Sequence, residues 1–213
     1  MIITTPKPLD EVLDFISPYK NILIVGCDGC TQPPRGLREA KTLSQLLELG
    51  GKLRNKDFAF KVTTMAKQCD SYLAASMLKS QIEGMEGVLS LACGIGVQTL
   101  AGLSPETPVF PVQNTHFMGA EERETGILEE RCAGCGDCRL ALTGGICPIA
   151  RCSKGLLNGA CGGSKNGKCE LDPERDCAWI LIYERLKKQG KLELLEEFRP
   201  PRDYQLSGWR VKL

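Results

Sequence analysis

The sequence predicts an α/β domain over residues 1–120, followed by a small cysteine-rich module over residues 121–213. In the first part, apolar strand segments alternate with segments of helical periodicity, which is typical of a parallel sheet with crossover helices. From 121 to 180, glycine and cysteine are frequent and the apolar residues follow no period. Such a segment builds too little hydrophobic core to offset its chain entropy, so metal binding is expected to supply folding free energy there.

The elements of the first domain follow from apolar runs bounded by turn residues and from apolar stripes of helical period. The predicted order is a helix over 9–16, a strand over 21–26, a helix over 37–47, a strand over 58–62, a helix over 71–78, a strand over 87–92, a helix over 96–103 and a strand over 108–112. Gly50 and Gly51 are expected to stop the second helix, and Asp70 to cap the third. This alternation predicts a Rossmann-like or flavodoxin-like parallel sheet.

After the cysteine-rich segment, one helix is predicted over 178–189, because Trp179, Ile182 and Leu186 fall on one face. A proline-containing tail then runs to the C-terminus and carries Tyr204 and Trp209. Since such a tail has little core of its own to join, we expect it to bind a partner protein.

Composition narrows the classes of function. The chain has 213 residues and a net charge of +1, so it has no strong attraction for nucleic acid or anionic membranes. Apolar runs such as Ile22–Val25 are far too short to span a membrane, and the N-terminus does not resemble a signal peptide. A cytoplasmic protein is therefore expected, with its twelve cysteines kept as thiols rather than disulfides.

The most specific motif is a group of eight cysteines that begins with three at equal spacing and continues with a cysteine that precedes proline. They are Cys132, Cys135, Cys138, Cys147, Cys152, Cys161, Cys169 and Cys177. Three thiolates three residues apart are typical of a loop around a 4Fe–4S cluster, whereas zinc sites usually consist of two separated pairs. Eight thiolates therefore predict a ferredoxin-like module with two 4Fe–4S clusters.

The division of these ligands between the two clusters stays open. Eight residues separate Cys138 from Cys147, where bacterial ferredoxins have three. In two-cluster ferredoxins the cysteine before proline serves the other cluster, so Cys147 and Cys152 are alternative fourth ligands of the first site. The other one of the two would join Cys161, Cys169 and Cys177.

A second group of cysteines lies at the ends of predicted strands. Cys27 and Cys30 follow the first strand, Cys69 follows the second, and Cys93 follows the third. The carboxyl ends of parallel strands meet at one edge of a sheet, where ligands bind, so we predict a metal site that holds a third 4Fe–4S cluster or zinc. The alternatives are cysteines that simply pack in the core and a redox pair formed by Cys27 and Cys30.

Nucleotide binding at the first strand end has weak support. The turn Gly26-Cys-Asp-Gly29 lies where a dinucleotide fingerprint would lie, but it lacks the G-x-G-x-x-G spacing. The sequence also carries no recognisable flavin motif, phosphate loop or acid–base pair of carboxylates. We therefore expect redox centres without a site of substrate chemistry on this chain.

Two parts of the sequence resemble a known family. The cysteine pattern from Cys147 to Cys177, continued by Ala-Trp179-Ile-Leu-Ile-Tyr-Glu-Arg-Leu, resembles the C-terminal module associated with methylenetetrahydrofolate reductases. The N-terminal half, with Gly26-Cys-Asp-Gly-Cys30 and Leu91-Ala-Cys-Gly-Ile-Gly-Val-Gln98, is similar to the small iron–sulfur subunit of the two-subunit reductase of acetogens and other bacteria. Together these similarities extend over nearly the whole chain.

This resemblance implies a non-catalytic redox subunit of an oxidoreductase. Its partner would be a TIM-barrel flavoprotein that alone holds the flavin and reduces 5,10-methylenetetrahydrofolate to 5-methyltetrahydrofolate, as in the Wood–Ljungdahl pathway. The chain would relay electrons to or from that flavin, and the resemblance leaves open a further electron-donor subunit or a ferredoxin. Two alternatives remain, a zinc-binding structural or regulatory subunit of the same flavoprotein and a thiol-based redox sensor.

Overall fold

The structure, a computed structural model, describes residues 1–121 and 126–207. The chain divides into two compact units, Met1–Phe117 and Met118–Leu213. Trp209, which the sequence places in a partner-binding tail, lies outside the described residues. The predicted mixed α/β class with a parallel sheet is confirmed in unit 1. The ferredoxin-like character of the second part stays a prediction.

Unit 1 contains every element that the sequence predicts, together with short strands that it does not. In chain order the elements are β1 (Ile2–Pro6), α1 (Leu9–Ile16), β2 (Asn21–Cys27), β3 (Thr31–Gln32), α2 (Leu37–Leu53), β4 (Ala59–Met65), α3 (Ser71–Ile82), β5 (Gly87–Ser90), α4 (Gly94–Leu103), β6 (Val109–Pro111) and the first part of β7 (Gln113–Glu121).

The main sheet of unit 1 is parallel, with strand order β4-β2-β5-β6. Alternate residues of β2 enter opposite cores, since Ile22 and Ile24 pack with α1 and α2, whereas Leu23 and Val25 pack with α3. Both faces of the sheet are therefore covered, as parallel sheets require. The chain first adds β4 on one side of β2 and then β5 on the other, so the switch point of the topology lies between the carboxyl ends of β2 and β5.

The prediction that Gly50 and Gly51 stop the second helix is wrong, because α2 continues through both to Leu53. These glycines serve close packing instead. A Cβ on Gly50 would lie 2.7 Å from Leu13 Cδ1, and a Cβ on Gly51 would lie 2.7 Å from the Phe58 ring. The missing side chains let α2 approach its neighbours.

The sequence pattern does not predict the short strands, because they are brief and rich in proline or polar residues. In unit 1, β1 pairs in parallel with β3 through Ile2↔Thr31 and Ile3↔Gln32 and lies between β3 and β7. Two-residue strands such as β3 have no periodicity that a pattern search could detect.

Unit 2 consists of short elements and one longer helix. They are the end of β7, β8 (Leu128–Cys132), α5 (Pro148–Arg151), β9 (Lys168–Cys169), β10 (Asp172–Asp176), α6 (Ala178–Gln189) and 3₁₀ turns at Leu140–Leu142, Leu192–Leu195 and Tyr204–Ser207. The prediction for α6 is confirmed, and the helix ends at Gly190, whose φ of 66° is in the left-handed region. In the described parts of the chain, none of the helices has the length and apolar character needed to span a bilayer.

The core of unit 2 is small. Trp179, Ile182 and Leu186 form its buried centre, and Cys152 and Cys177 pack against them. The Trp179 Nε1–H donates to the Leu156 carbonyl at 3.0 Å, so the indole is also held by a polar contact. Cys152 and Cys177 are therefore part of the core of this unit.

Arg199 attaches the beginning of the tail to unit 2, which corrects the expectation that the tail has no core to join. Its side chain is buried, and its terminal nitrogens donate to the carbonyls of Leu142, Leu157 and Leu194 at 3.1–3.4 Å. Its backbone exchanges two hydrogen bonds with the side chain of Asn158, at 2.7 and 2.9 Å. The tail is thus fixed at this point, although Tyr204 beyond it is exposed.

Replacing Gly26 with alanine is expected to destabilise unit 1. The new Cβ would lie 2.7 Å from the carbonyl carbon and oxygen of Gly36, and backbone atoms cannot move aside cheaply. We expect Gly26→Ala to lower the free energy of unfolding by about 1–3 kcal/mol. Gly102→Ala in α4 is the matched control, since nothing lies within 4 Å of its Cβ, and it should raise that free energy by about 0.4–1 kcal/mol. Urea denaturation followed by circular dichroism measures both, and equal stabilities for the two variants would contradict the packing explanation.

Replacing Arg199 with methionine should destabilise unit 2, because three backbone carbonyls of partly buried residues lose their donor. The expected loss is about 3 kcal/mol, since hydrogen bonds from a charged group are among the stronger ones. Lys188→Met removes the same charge from the exposed surface of α6 and should change stability by less than about 0.5 kcal/mol. Limited proteolysis and thermal unfolding of anaerobically purified protein would test this. An Arg199 variant as stable as the Lys188 variant would show that the hydrogen bonds of Arg199 contribute nothing to the stability of unit 2.

Candidate functional site

Three of the four predicted cysteines of unit 1 lie close together at the carboxyl edge of the parallel sheet. Cys27 ends β2 and Cys93 caps the start of α4, and both are buried at 7% and 6% exposure. Partial burial raises the pKa of the Cys69 thiol, Lys67 opposes this shift, and charge on Cys93 and Cys27 raises the pKa further. Because charge on Cys27 and Cys93 acts on the Cys69 thiol, both lie near it.

Cys30 is placed differently. It is exposed, and its carbonyl accepts a hydrogen bond from the Ile2 N–H at 2.9 Å, which places it beside β1. In the described structure, none of its contacts links it to Cys27, Cys69 or Cys93. Cys27 and Cys93 therefore lie near Cys69, which is exposed like Cys30, whereas the Cys30 backbone is bonded to β1.

Gln68 holds the three converging segments together, and sequence reasoning missed it. Its Nε2 donates to the carbonyls of Val25 and Gly26, at 3.0 and 2.9 Å, and its Oε1 accepts from the Ser90 hydroxyl at 2.7 Å. The side chain is fully buried. One amide thus joins the end of β2, the end of β5 and the loop that carries Cys69. A single glutamine before a cysteine gave no signal in the sequence.

Two glycines allow backbone to approach this edge closely. A Cβ on Gly96 would lie 2.9 Å from Gln68 Cβ and 3.7 Å from the Cys69 nitrogen, so only glycine lets the first turn of α4 reach the Cys69 loop. A Cβ on Gly29 would lie 3.4 Å from Cys27 Sγ. Small residues therefore clear the space around the thiols.

Two of the first four cysteines of unit 2, Cys132 and Cys147, accept hydrogen bonds from nearby backbone amides. The Gly134 N–H donates to Cys132 Sγ at 3.4 Å, and the Ala150 N–H donates to Cys147 Sγ at 3.5 Å. Cys147 caps α5 through this contact. Gly134 has a positive φ of 60°, which glycine adopts without strain.

The other four cysteines of unit 2 line one cavity of about 20 Å³. They are Cys152, Cys161, Cys169 and Cys177. The amide of Cys177, which precedes α6, donates to the Gly167 carbonyl at 2.8 Å. Of the two alternatives for the fourth member of this group, Cys152 is the one that lines the cavity.

Polar side chains surround this cavity. Cys169 Sγ lies 3.5 Å from Ser153 Oγ, and this hydrogen bond, together with backbone N–H groups, lowers the pKa of the Cys169 thiol. Cys161 Sγ lies 3.4 Å from Glu170, whose carboxylate forms an ion pair with Lys154. The same ion pair holds the pKa of Glu170 low, so that carboxyl group stays charged. The environment of Cys169 therefore favours a thiolate, the form that binds metal.

The donor chemistry and the geometry can be compared with what a metal requires. Four thiols around one cavity match the ligand number of a cubane cluster or of structural zinc. Within residues 1–121 and 126–207, however, no group of three or more histidine, cysteine, aspartate or glutamate side chains is arranged to hold a metal ion. A cavity of about 20 Å³ has room for about one water molecule. The donors fit such a centre in kind and number, and the walls would have to move outward to hold a cluster.

Comparison with known proteins relates the cysteine-rich part to a family. Residues 110–205 match the family model described as methylene-tetrahydrofolate reductase C terminal. The comparisons with curated proteins and with solved structures each found no match. The matched region contains all eight cysteines from Cys132 to Cys177. This match associates the chain with methylenetetrahydrofolate reductase, and so with an oxidoreductase of one-carbon metabolism.

Proposed function

We propose that this chain is the electron-relay subunit of a methylenetetrahydrofolate reductase. Thiolate-held 4Fe–4S clusters would connect an electron donor with the flavin of a TIM-barrel partner, which would reduce 5,10-methylenetetrahydrofolate. The observation that carries the proposal is the position of eight cysteines inside the segment that matches the reductase C-terminal family. Four of those thiols line a common cavity, which is what a four-thiolate centre needs.

The contacts in unit 2 support one division of the ligands. Cys152 lines the cavity with Cys161, Cys169 and Cys177, so we assign it to the second centre. Cys147 is then left to complete the first centre, with the three equally spaced cysteines Cys132, Cys135 and Cys138. In this assignment the cysteine before proline belongs with the motif that precedes it in the chain.

The chain's own residues would hold these thiolates and tune their charge. A 4Fe–4S cluster supplies single-electron chemistry when it is bound. The N–H groups of Gly134 and Ala150 already point at sulfur, and hydrogen bonds of this kind raise reduction potentials. Ser153 acts on Cys169 in the same sense, because its hydroxyl stabilises the thiolate.

We propose a third metal centre in unit 1, formed by Cys27, Cys69 and Cys93 with Cys30 as the fourth ligand. The effect of Cys27 and Cys93 on the Cys69 thiol supports it. Movement of the exposed loop that carries Cys30 would complete the set. Four thiolates suit both a 4Fe–4S cluster and zinc, and the ligands alone do not separate the two.

The exposed aromatic residues of the tail support a protein partner. Phe198 is 78% exposed although the next residue, Arg199, is buried and clamped, and Tyr204 is 73% exposed. Aromatic side chains held in this way are frequent anchors of interfaces. We therefore propose that the partner flavoprotein, and possible donor proteins such as a ferredoxin, bind near the tail.

A second candidate is a zinc-binding structural or regulatory subunit of the same flavoprotein. It is favoured by the packing of Cys152 and Cys177 against the small core around Trp179, since metal at that position would stabilise the fold directly. This candidate predicts a colourless protein, whereas the relay predicts a brown one.

Metal analysis separates the two candidates. Protein purified without oxygen should contain about eight iron atoms and eight sulfides per chain if two clusters bind, and about twelve of each if unit 1 holds a third. Chelation of the iron should abolish the broad visible absorption and lower the melting temperature of the chain. Fewer than four iron atoms per chain, with stoichiometric zinc, would exclude the relay and favour the structural subunit.

Serine variants test how the ligands of unit 2 are divided. Cys152→Ser and Cys177→Ser should each lose the same cluster, so their double variant should retain as much iron as either single variant. Cys152→Ser combined with Cys147→Ser should lose both clusters of this unit. Lys188→Ala is the control, because Lys188 is exposed on α6 outside the cavity of these cysteines, and this variant should keep all its iron. Low-temperature electron paramagnetic resonance and iron analysis give the answer, and additive iron loss in the Cys152/Cys177 pair would refute the assignment.

A further inference from the structure

Unit 1 contains buried polar atoms that the described chain leaves without hydrogen-bond partners. They are Thr4 Oγ1, Thr31 Oγ1, Arg35 Nε and Gln113 Oε1. Native structures pair nearly all such atoms, so each unpaired one needs an explanation. The four belong to adjoining elements, because β1 lies between β3 and β7 and Arg35 precedes α2. The register Ile2↔Thr31 places Thr31 and Thr4 on one face of this sheet.

A cavity of about 420 Å³ lies beside this group. Gln113, only 7% exposed, and Arg35 both line it, together with Arg38. Leu46 and Leu91 contribute to an apolar wall. The volume falls within the range of small-molecule pockets, which combine apolar walls with a few placed polar groups. An unpaired buried amide at the wall of such a cavity indicates a ligand that supplies its partner.

The charges at the cavity favour an anion. Lys7 also lines it but is paired with Glu11 at 2.6 Å. Neither Arg35 nor Arg38 forms an ion pair within the described residues. Glu39, the one carboxylate of the lining, accepts the Gly36 N–H at 3.0 Å. The Arg35 side chain is partly buried and its Nε has no hydrogen-bond partner in the described chain, so a bound anion would offset the cost of desolvating this charge.

The position of the cavity agrees with a ligand site. The Cys27 N–H at the end of β2 donates to the Arg35 carbonyl at 2.7 Å, and Leu91 directly follows β5. The cavity therefore lies at the carboxyl ends of the two strands that flank the switch point, which is where open α/β sheets bind their ligands. Arg35 and Arg38 also line a neighbouring cavity of about 400 Å³, whose lining includes Cys27 and which we leave out of the proposed site.

We propose that this cavity binds a nucleoside monophosphate. Its phosphate pairs with Arg35 and Arg38, its base packs on Leu46 and Leu91, and a base N–H donates to Gln113 Oε1. The cavity of about 420 Å³ has no cysteine in its lining, and it offers arginines in place of a glycine-rich phosphate turn. This proposal therefore stands or falls independently of the electron-relay proposal.

Isothermal titration calorimetry on the full chain tests the site, with AMP, GMP, CMP and UMP as probes and with adenosine and inorganic phosphate as separate arms. At least one monophosphate should bind more tightly than adenosine and more tightly than inorganic phosphate. Arg38→Ala should weaken that binding by about tenfold or more, because it removes a charged hydrogen bond. Lys41→Ala removes one charge from an exposed position of the same helix outside the cavity and should leave the affinity within about twofold.

Gln113→Leu distinguishes a ligand contact from a structural one. It removes an unpaired buried amide, so the melting temperature of the free protein should not fall, whereas monophosphate affinity should drop about tenfold. A Gln113 variant that melts lower and binds normally would assign the residue to the fold alone and overturn the proposal. The proposal is also overturned if none of the four monophosphates binds at millimolar concentration, or if phosphate or adenosine alone binds as tightly.

Discussion

The buried amide of Gln68 is the contact on which the edge of unit 1 depends. It connects the carboxyl end of β2, the end of β5 and the loop before α3, three segments that lie far apart in the sequence. Cys27, Cys69 and Cys93 are each carried by one of these segments. Because both ends of the amide are bonded in a fully buried position, losing either contact would leave polar atoms unsatisfied, and the thiols would no longer be held near one another.

Unit 2 also holds its thiols in place, but with fewer buried apolar residues. Its buried centre is one face of α6, and the thiols of Cys152 and Cys177 belong to the packing of that face. The left-handed turn at Gly134 brings its N–H to Cys132 Sγ, and the carbonyl of Gly167, also left-handed, accepts the Cys177 N–H. The fold and the candidate metal centres are thus one set of contacts here, which is why stability and metal content should change together.

Local patterns predicted the elements, and long-range contacts decided what the patterns could not. Apolar periodicity located the helices and strands of unit 1 and the helix α6, since burial on one face leaves a repeat in the sequence. The prediction for Gly50 and Gly51 is wrong because the local sequence does not distinguish a glycine that stops a helix from one that allows close packing. Gln68 and Arg199 could not be found at all, since their partners lie at other points of the chain. The cysteine spacing predicted which thiols matter, whereas the cavity that groups Cys152 with the last three required the fold.

Two arginines show how surroundings separate structural from ligand-binding roles. The terminal nitrogens of Arg199 donate to three backbone carbonyls, so its charge is used within unit 2 and fixes the tail. Arg35 has a backbone role at the end of β2, but its guanidinium has neither an ion pair nor a hydrogen bond within the described chain, and it faces two cavities. A partly buried charge without a partner lowers the free energy of unfolding. An anionic ligand that pairs with this charge would therefore bind more favourably. The same residue type therefore serves architecture in one unit and recognition in the other.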